Sequence, residues 1–443
     1  MKKLVITLFA IFLTLNVQAK SVKNGFENVI EESGVDVQSI SVSIKNVKNG
    51  KTVFTLNDKM LMNPASVQKV LTTPVSLEAL GSDYSFTTSM YSRSNDTYII
   101  KLGADPYLKS TDLKKLTQKF DNSVKKVYVD DSILDTKTWG EGWQWDDDMN
   151  VLMPRFGSYN LDKNLIKLTI MPSSDSNFAT IINPSKYPLV FFNNITNGNK
   201  TDINVQRDNT ISANTLMLTG TVARPTVLWI PSNNLKRYFD IQLLKTLENR
   251  KIYPKEFGLS TKVNNNDVLI DSVKHDIEPA ISDILKNSNN LVSETLFKLA
   301  GAKHGNIETG SDFSGIKMFN DYCQKNGLDN SRIRITDASG VSKNNLVSTD
   351  FVTDFLVLNK DNKVLEKLPS PGEGTLTHRM LPIKNNLKAK TGTLSDISSI
   401  AGFLTSKSGK KYAFCIISND MQLSASDKKM LEDFILREAY LRL

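Results

Sequence analysis

The rest of the chain has to be arranged around Ser66-Val67-Gln68-Lys69. In Asn63-Pro64-Ala65-Ser66-Val67-Gln68-Lys69-Val70-Leu71, a proline suited to a first helical position precedes Val67, Val70, Leu71 and Leu77 at helical intervals. The pattern predicts a helix from here to about Leu80, ended by Gly81, with Pro74 as a point where it can kink. A separation of three residues puts Ser66 and Lys69 on one helical face. A serine hydroxyl needs a neighbouring base to become a nucleophile, and a lysine serves once burial or nearby cations lower its pKa. A helix N-terminus adds free N–H groups and a positive dipole end for developing negative charge. Just upstream, Ile40, Val42 and Ile44 alternate with Ser39, Ser41, Ser43 and Lys45. Asn49-Gly50 and the run Thr52 to Leu56 complete a hairpin that leads straight into the helix.

By itself Ser-x-x-Lys says little. The spacing recurs at Ser123/Lys126, Ser314/Lys317, Ser408/Lys411 and Ser426/Lys429, and a polar helix face is the ordinary reading of an isolated match. Two later motifs change its meaning. Ser288-Asn289-Asn290 lies between two apolar helical stretches, and Lys390-Thr391-Gly392-Thr393 opens the strand region Leu387 to Leu404. Ser-x-Asn is common and recurs at Ser158/Asn160 and Ser342/Asn344, whereas Lys-Thr-Gly occurs once. The order Ser-x-x-Lys, Ser-x-Asn, Lys-Thr-Gly is that of the penicillin-recognising serine acyl-transferases.

The residue types suit an acyl-enzyme. Ser66 is the candidate nucleophile and Lys69 its base, while Ser288, with Lys390 behind it, can pass a proton to the leaving amine. Asn290 can hold the substrate's amide carbonyl, and Lys390, Thr391 and Thr393 can bind a terminal carboxylate. Gly392 has no side chain, so a substrate can lie along the strand as an added β-strand. The backbone N–H groups of Ser66 and Thr393 are the candidate oxyanion donors. Two lysines in one pocket, Lys69 and Lys390, repel each other, which lowers both pKa values.

The remaining chain sets the bounds. At 443 residues it has room for two to three domains of roughly 100–200 residues each. With 40% hydrophobic and 23% charged residues it reads as an ordinary globular protein. A net charge of +8 suits nucleic acid or an anionic wall polymer. Spread without a dense basic block, that charge chooses neither, a solvated surface accounts for it, and no nucleic-acid partner is expected. Met1 to Ala19 has the features of a secretory signal: Lys2 and Lys3, the short apolar run Leu4 to Leu15, and Val17-Gln18-Ala19 at the cut. An uncleaved anchor is the alternative, but the run falls short of the roughly 20 residues that span a bilayer. No later stretch spans either, so the mature protein is expected outside the cytoplasm without a stable membrane span. Cys415 sits in the apolar run Tyr412 to Ile417 and Cys323 in a helical stretch; both are expected as buried free thiols, with a disulfide, which export would allow, as the alternative. His275, His304 and His378 lie too far apart to show metal-ligand spacing, no Gly-rich phosphate loop occurs, and no cofactor is implied.

Phe86 to Asn265 carries short β-type runs between Asn-, Asp-, Ser- and Gly-rich turns, with Asn193 to Asn209 expected as an exposed loop and Arg237 to Leu247 as a helix. Helical stretches follow at Pro279 to Leu285, Asn290 to Ala300 and Phe313 to Asn326. Two strands, Ile397 to Leu404 and Tyr412 to Ser418, and a closing helix from about Ser426 to Leu443 end the chain. The expected organisation is a signal over 1–19, a catalytic domain over 20–85 and 266–443, and one or two inserted, mostly β modules over 86–265.

The chain is similar to the class C low-molecular-mass penicillin-binding proteins, the D-Ala-D-Ala carboxypeptidase/endopeptidase family. Beyond the three motifs the resemblance runs through Leu80-Gly81-Ser82-Asp83-Tyr84-Ser85-Phe86, Gly103-Ala104-Asp105-Pro106-Tyr107-Leu108 and Gly142-Trp143-Gln144-Trp145-Asp146-Asp147. It continues through Asp337-Ala338-Ser339-Gly340-Val341-Ser342 and Gly374-Thr375-Leu376-Thr377-His378-Arg379-Met380. The long interval from Ser66 to Ser288 resembles this family, in which extra domains follow the nucleophile helix. The resemblance implies an α/β (α+β) fold. Its catalytic domain would be of the serine β-lactamase and penicillin-binding transpeptidase type, an antiparallel sheet flanked by helices plus a helical cluster, carrying inserted β modules. It implies a periplasmic D,D-carboxypeptidase or D,D-endopeptidase acting on peptidoglycan stem peptides and cross-links, with β-lactams as covalent inhibitors. It also places Asp147 where the family reaches from an insert to the amino group of the substrate's diamino-acid; a plain turn carboxylate after Trp145 is the alternative. Arg334 and Arg379 are further candidates for anionic substrate, and Arg379 equally for capping a helix. The rivals are a β-lactamase, for which no deacylating glutamate can be assigned, and a non-catalytic wall-binding scaffold, against which the intact motifs argue.

Overall fold

In a computed structural model that describes residues 24–443, the hairpin ahead of Ser66 forms the far side of a five-stranded antiparallel sheet. The sheet runs Leu387–Leu394, Ile397–Thr405, Lys411–Ser418, Ile40–Asn46, Thr52–Leu56, so the strand with Lys390-Thr391-Gly392-Thr393 is an edge. The expected signal segment lies outside the described residues.

This sheet belongs to the first of two units, made of the described residues up to Leu77 with Ile281–Ser288 and Ile316–Leu443. Alternation along Ile40–Asn46 puts Ile40, Val42 and Ile44 into an apolar core with Leu431, Ile435, Leu436 and Ala439 of the closing helix Ala425–Arg442. The opposite, polar face of the strand is also buried. The Ser41 hydroxyl meets that of Thr349 at 2.7 Å and Ser43 meets Thr353 at 2.8 Å, both on the helix Thr349–Leu358. Lys45 on the same face pairs with Asp350. A strand that alternates serine with apolar residues thus buries both faces, because a facing helix returns a hydroxyl for each hydroxyl.

The second unit comprises Glu78–Ala280 with Asn289–Gly315. Its largest sheet has the order Glu256–Ser260, Lys126–Asp130, Thr97–Lys101, Ser85–Ser94, Val268–Asp276. Two of its pairings are parallel, and the helices Ser110–Leu116 and Leu235–Glu248 lie between its strands in sequence. Two three-stranded sheets complete it, one of them Val190–Asn197, Thr215–Val222, Asp202–Arg207. The polar stretch expected as an exposed loop, Asn193 to Asn209, is therefore largely strand. Its sparse apolar residues explain the difference: Ile195, Ile203 and Val205 alternate onto the unit's core while Asn194, Asp202 and Asn204 face out. Cys323 and Cys415 are buried free thiols. Among the described residues, no helix is long and apolar enough to cross a membrane.

Candidate active site

The nucleophile turn begins with strain. Ala65 adopts a left-handed backbone (φ +43°), and Ala65–Val67 forms a 3-10 turn capped by Pro64 before the α-helix Gln68–Leu80 takes over. The expected helix thus starts with a tighter turn, and Pro64 caps it instead of opening it. Asn63 holds the turn from both ends: its Oδ1 accepts from Ala65 N (2.8 Å), and its Nδ2 donates to the Ser342 carbonyl (3.0 Å). Lys69 Nζ lies 2.9 Å from Ser66 Oγ. Lys69 also donates to the Ser339 carbonyl at 2.6 Å. The Lys69 side chain is fully buried, while Ser66 keeps partial access to solvent.

Ser288 follows the helix Glu278–Asn287 and is itself left-handed (φ +60°), a conformation that costs a non-glycine residue on the order of 1–3 kcal/mol. In this conformation Ser288 Oγ lies 3.0 Å from Lys390 Nζ. Lys390 also donates to the Thr391 carbonyl at 2.6 Å. Burial first, and the charge of Lys69 second, hold the Lys390 ammonium well below the usual lysine range. Its neutral form carries a lone pair and can take part in proton transfer.

The edge strand is set by its alternation. Ala389 N–H donates outward to the Pro369 carbonyl (3.0 Å), so two residues on, and again two further, Thr391 and Thr393 turn their N–H groups to the same open edge. Gly392 faces inward opposite Ser399. A Cβ on Gly392 would collide with Ser399 Oγ and come within 2.8 Å of both Pro64 O and Ser66 N. Only a glycine therefore lets the nucleophile turn sit against this strand, and Ser399 Oγ fastens the contact by donating to Pro64 O (2.6 Å). Thr391 Oγ1 bonds Thr375 Oγ1 (2.7 Å), while Thr393 is exposed.

The first unit thus brings together Ser66, Lys69, Ser288, Lys390, Thr391, Gly392 and Thr393. Arg379 is placed as a structural cation: it pairs with Glu432 (2.8 Å) and Asp433 and donates to the Lys429 carbonyl at the start of the closing helix. Arg334 is exposed and donates to the Asn344 carbonyl. In the second unit, Asn289 caps the helix Asn290–Gly305, and Asn290 Nδ2 donates to the Leu152 carbonyl at 2.8 Å. Asp147 is half-buried in the 3-10 turn Trp145–Met149; its neighbour Asp148 pairs with the buried Arg207 at 3.0 Å. The sequence reading assigned no part to Ser339, Asn63, Thr375 or Ser399. Ser339 acts through its backbone carbonyl, Asn63 and Ser399 reach backbone atoms of distant segments, and Thr375 meets Thr391 hydroxyl to hydroxyl; no motif spacing marks such contacts.

The sequence pattern of the D-Ala-D-Ala carboxypeptidase 3 (S13) family matches residues 23–438. The chain belongs to this family. It is therefore a serine peptidase of the penicillin-binding, D,D-cleaving kind. It is 24% identical over 403 residues to the D-alanyl-D-alanine carboxypeptidase DacB of Haemophilus influenzae, covering 84% of this chain and 83% of that one. The D-alanyl-D-alanine carboxypeptidase of Actinomadura sp. is 23% identical over 440 residues, covering 90% and 80%. The fold is similar to that of penicillin binding protein 4 (dacB) from Haemophilus influenzae, with a TM-score of 0.79 at 22% identity over 94% of this chain and 99% of that one. The expected mixed α/β architecture is thus the one found.

Proposed function

We propose that this enzyme cleaves D-Ala-D-Ala and D-Ala–diaminopimelate bonds of peptidoglycan peptides in the periplasm through an acyl-enzyme on Ser66. The pairing of two serines with two buried lysines carries this reading. Lys69 takes the Ser66 proton as Oγ attacks the carbonyl of the penultimate D-Ala. The Ser66 and Thr393 N–H groups receive the negative charge that develops on the carbonyl oxygen. Ser288, backed by Lys390, delivers a proton to the departing amine, and water then hydrolyses the ester. Asn290 binds the substrate's amide carbonyl, and Thr391 and Thr393 bind the terminal carboxylate beside Gly392. A β-lactam acylates Ser66 in the same way, but its leaving amine stays tethered.

Asp147 is assigned to the ammonium of the diaminopimelate side chain. Export through the segment 1–19 delivers the enzyme to its polymer. The test is labelling with a fluorescent penicillin, followed by peptide mapping and an assay for D-Ala release. One adduct on Ser66, with both labelling and release lost in Ser66→Ala, is expected. An adduct on another serine overturns the assignment.

A further inference from the structure

We infer that Asp337 is a positioning residue for the general base, acting through the turn Asp337–Ser342 to aim Lys69 at Ser66. The inference rests on the reading of Ser66 and Lys69 given above. An amine that is to take a proton carries two N–H bonds and one lone pair. The Ser339 carbonyl, 2.6 Å from Lys69 Nζ, accepts one N–H and so restricts where the lone pair can point. That carbonyl comes from a segment 270 residues away in sequence, and its placement depends on what shapes the turn.

Asp337 shapes it. One carboxylate oxygen accepts from Gly340 N (2.7 Å) and Asn345 Nδ2 (2.7 Å), and the other from Ser342 N (2.6 Å). Asn345 closes the ring: its Oδ1 accepts from Thr336 N and Asp337 N, and its Nδ2 also donates to the Ser342 carbonyl. Both side chains are buried. The folded turn meets the nucleophile segment at further points besides the Ser339 carbonyl. The Ala338 carbonyl accepts from Thr72 Oγ1 at 2.9 Å, on the same helix as Lys69. Gly340, left-handed at φ +82°, packs so close that a Cβ there would collide with the Ala65 carbonyl. The Ser342 carbonyl accepts from Asn63. One buried carboxylate thereby templates a turn that touches the residue before the nucleophile, the base, and the helix that carries the base.

The carboxylate is the right group because Gly340 N, Ser342 N and Asn345 Nδ2 are all N–H donors, and an ionised carboxylate only accepts. Asp337→Asn keeps the shape but turns an NH2 toward one of those donors. Lys390 faces Lys69 from the edge strand and titrates in the same pocket, so the experiment includes it.

The measurement is the rate of penicillin acylation as a function of concentration and pH. Asp337→Asn is expected to lower the maximal acylation rate roughly ten- to hundredfold, the scale of a displaced reacting group. The half-saturating concentration stays near wild type, since the residue touches no ligand. A weakened carbonyl acceptor also favours the neutral amine, so the acid limb of the rate profile moves to lower pH. In Lys390→Met, where only Lys69 is left to titrate in the pair, Asp337→Asn is expected to produce the same displacement. A wild-type rate with an unmoved limb overturns the inference. So does a fall confined to the fraction of chains that label, which is what a folding role alone produces. Should Asp337→Asn not fold, Thr72→Val unties the same turn more mildly and is expected to shift the limb in the same direction; an unmoved limb there overturns the inference. Labelling that persists in Ser66→Ala defeats the reading of the nucleophile instead, and is seen separately.

Discussion

The two lysine–serine pairs are nearly superposable as chemistry and opposite as construction. Lys69 Nζ stands 2.9 Å from Ser66 and 2.6 Å from a carbonyl; Lys390 Nζ stands 3.0 Å from Ser288 and 2.6 Å from a carbonyl. Each serine is aimed by a left-handed residue, Ala65 in one case and Ser288 itself in the other. In the first pair the serine and lysine are neighbours on one helical turn, while the carbonyl that orients the lysine arrives from 270 residues away. In the second the serine and lysine are 102 residues apart, and the carbonyl belongs to the very next residue of the strand. The same local geometry is reached once by helical period and once by packing a helix end on a sheet edge. The first pair therefore depends on a distant turn for tuning, the second for its existence.

The largest effect should separate the roles of the two serines. Ser66→Ala removes the nucleophile, and covalent penicillin binding is expected to vanish in intact-protein mass spectrometry while the fold persists. Ser288→Ala leaves the nucleophile in place, so the adduct still forms, about 10²–10⁴-fold more slowly. A double-mutant cycle of Ser288→Ala with Lys390→Ala should be strongly non-additive. Strict additivity would break the second pair as a functional unit.

Next in size is the contact that joins the two halves of the site. Gly392→Ala forces the strand away from Pro64 and Ser66 N. Stopped-flow acylation should slow about 10²–10³-fold, the usual consequence of losing an oxyanion donor. A rate within twofold of wild type would mean that Ser66 N–H is not an oxyanion donor.

A smaller and more selective effect is expected outside both pairs. Asp147→Ala should lower kcat/KM for a diaminopimelate-containing peptide by at least about tenfold, since loss of roughly 1.4 kcal/mol suffices for that. A peptide lacking the amino group, and simple penicillins, should barely respond. Equal losses on both peptides would make Asp147 a turn residue.

The smallest effect is on stability. Lys390 is fully buried with its pKa depressed, so between its folded value and about 10.4, the unfolded lysine value, the unfolded chain binds the extra proton. Stability contributed by this group is present above the unfolded value and is lost as pH falls toward the folded one. Relative to Lys390→Met, the wild type should therefore lose up to about 1.4 kcal/mol per pH unit on acidification within that window. Urea unfolding of both proteins at several pH values reads the slope, and parallel curves would show that Lys390 is not held neutral.

The pairs also show how far sequence reasoning reaches. The hairpin of Ile40 to Leu56, the helix ending at Gly81 and the two final strands were legible, because each writes its period into a few consecutive side chains. Asn193 to Asn209 was not legible: in a strand whose outer face is Asn and Asp, only three apolar residues mark the core side, and polarity reads as loop. Arg379 shows the same limit at the site's margin, since a cation beside a motif looks like a ligand until Glu432 and Asp433 are found against it.

What the sequence determined by itself is the chemistry available: a serine and a lysine on one turn, a second serine, a lysine followed by a glycine in an edge strand, and the family to which that order belongs. These depend on neighbours within a few residues or on motif order, and both survive in one dimension. Only the tertiary structure decided which atoms tune that chemistry. The Ser339 carbonyl on Lys69, the Asp337 template behind it, the Ser399 hydroxyl on Pro64 and the lost space at Gly392 all join segments far apart in the chain. Backbone carbonyls are identical at every residue, so nothing in the sequence distinguishes the one that will meet a lysine; packing selects it.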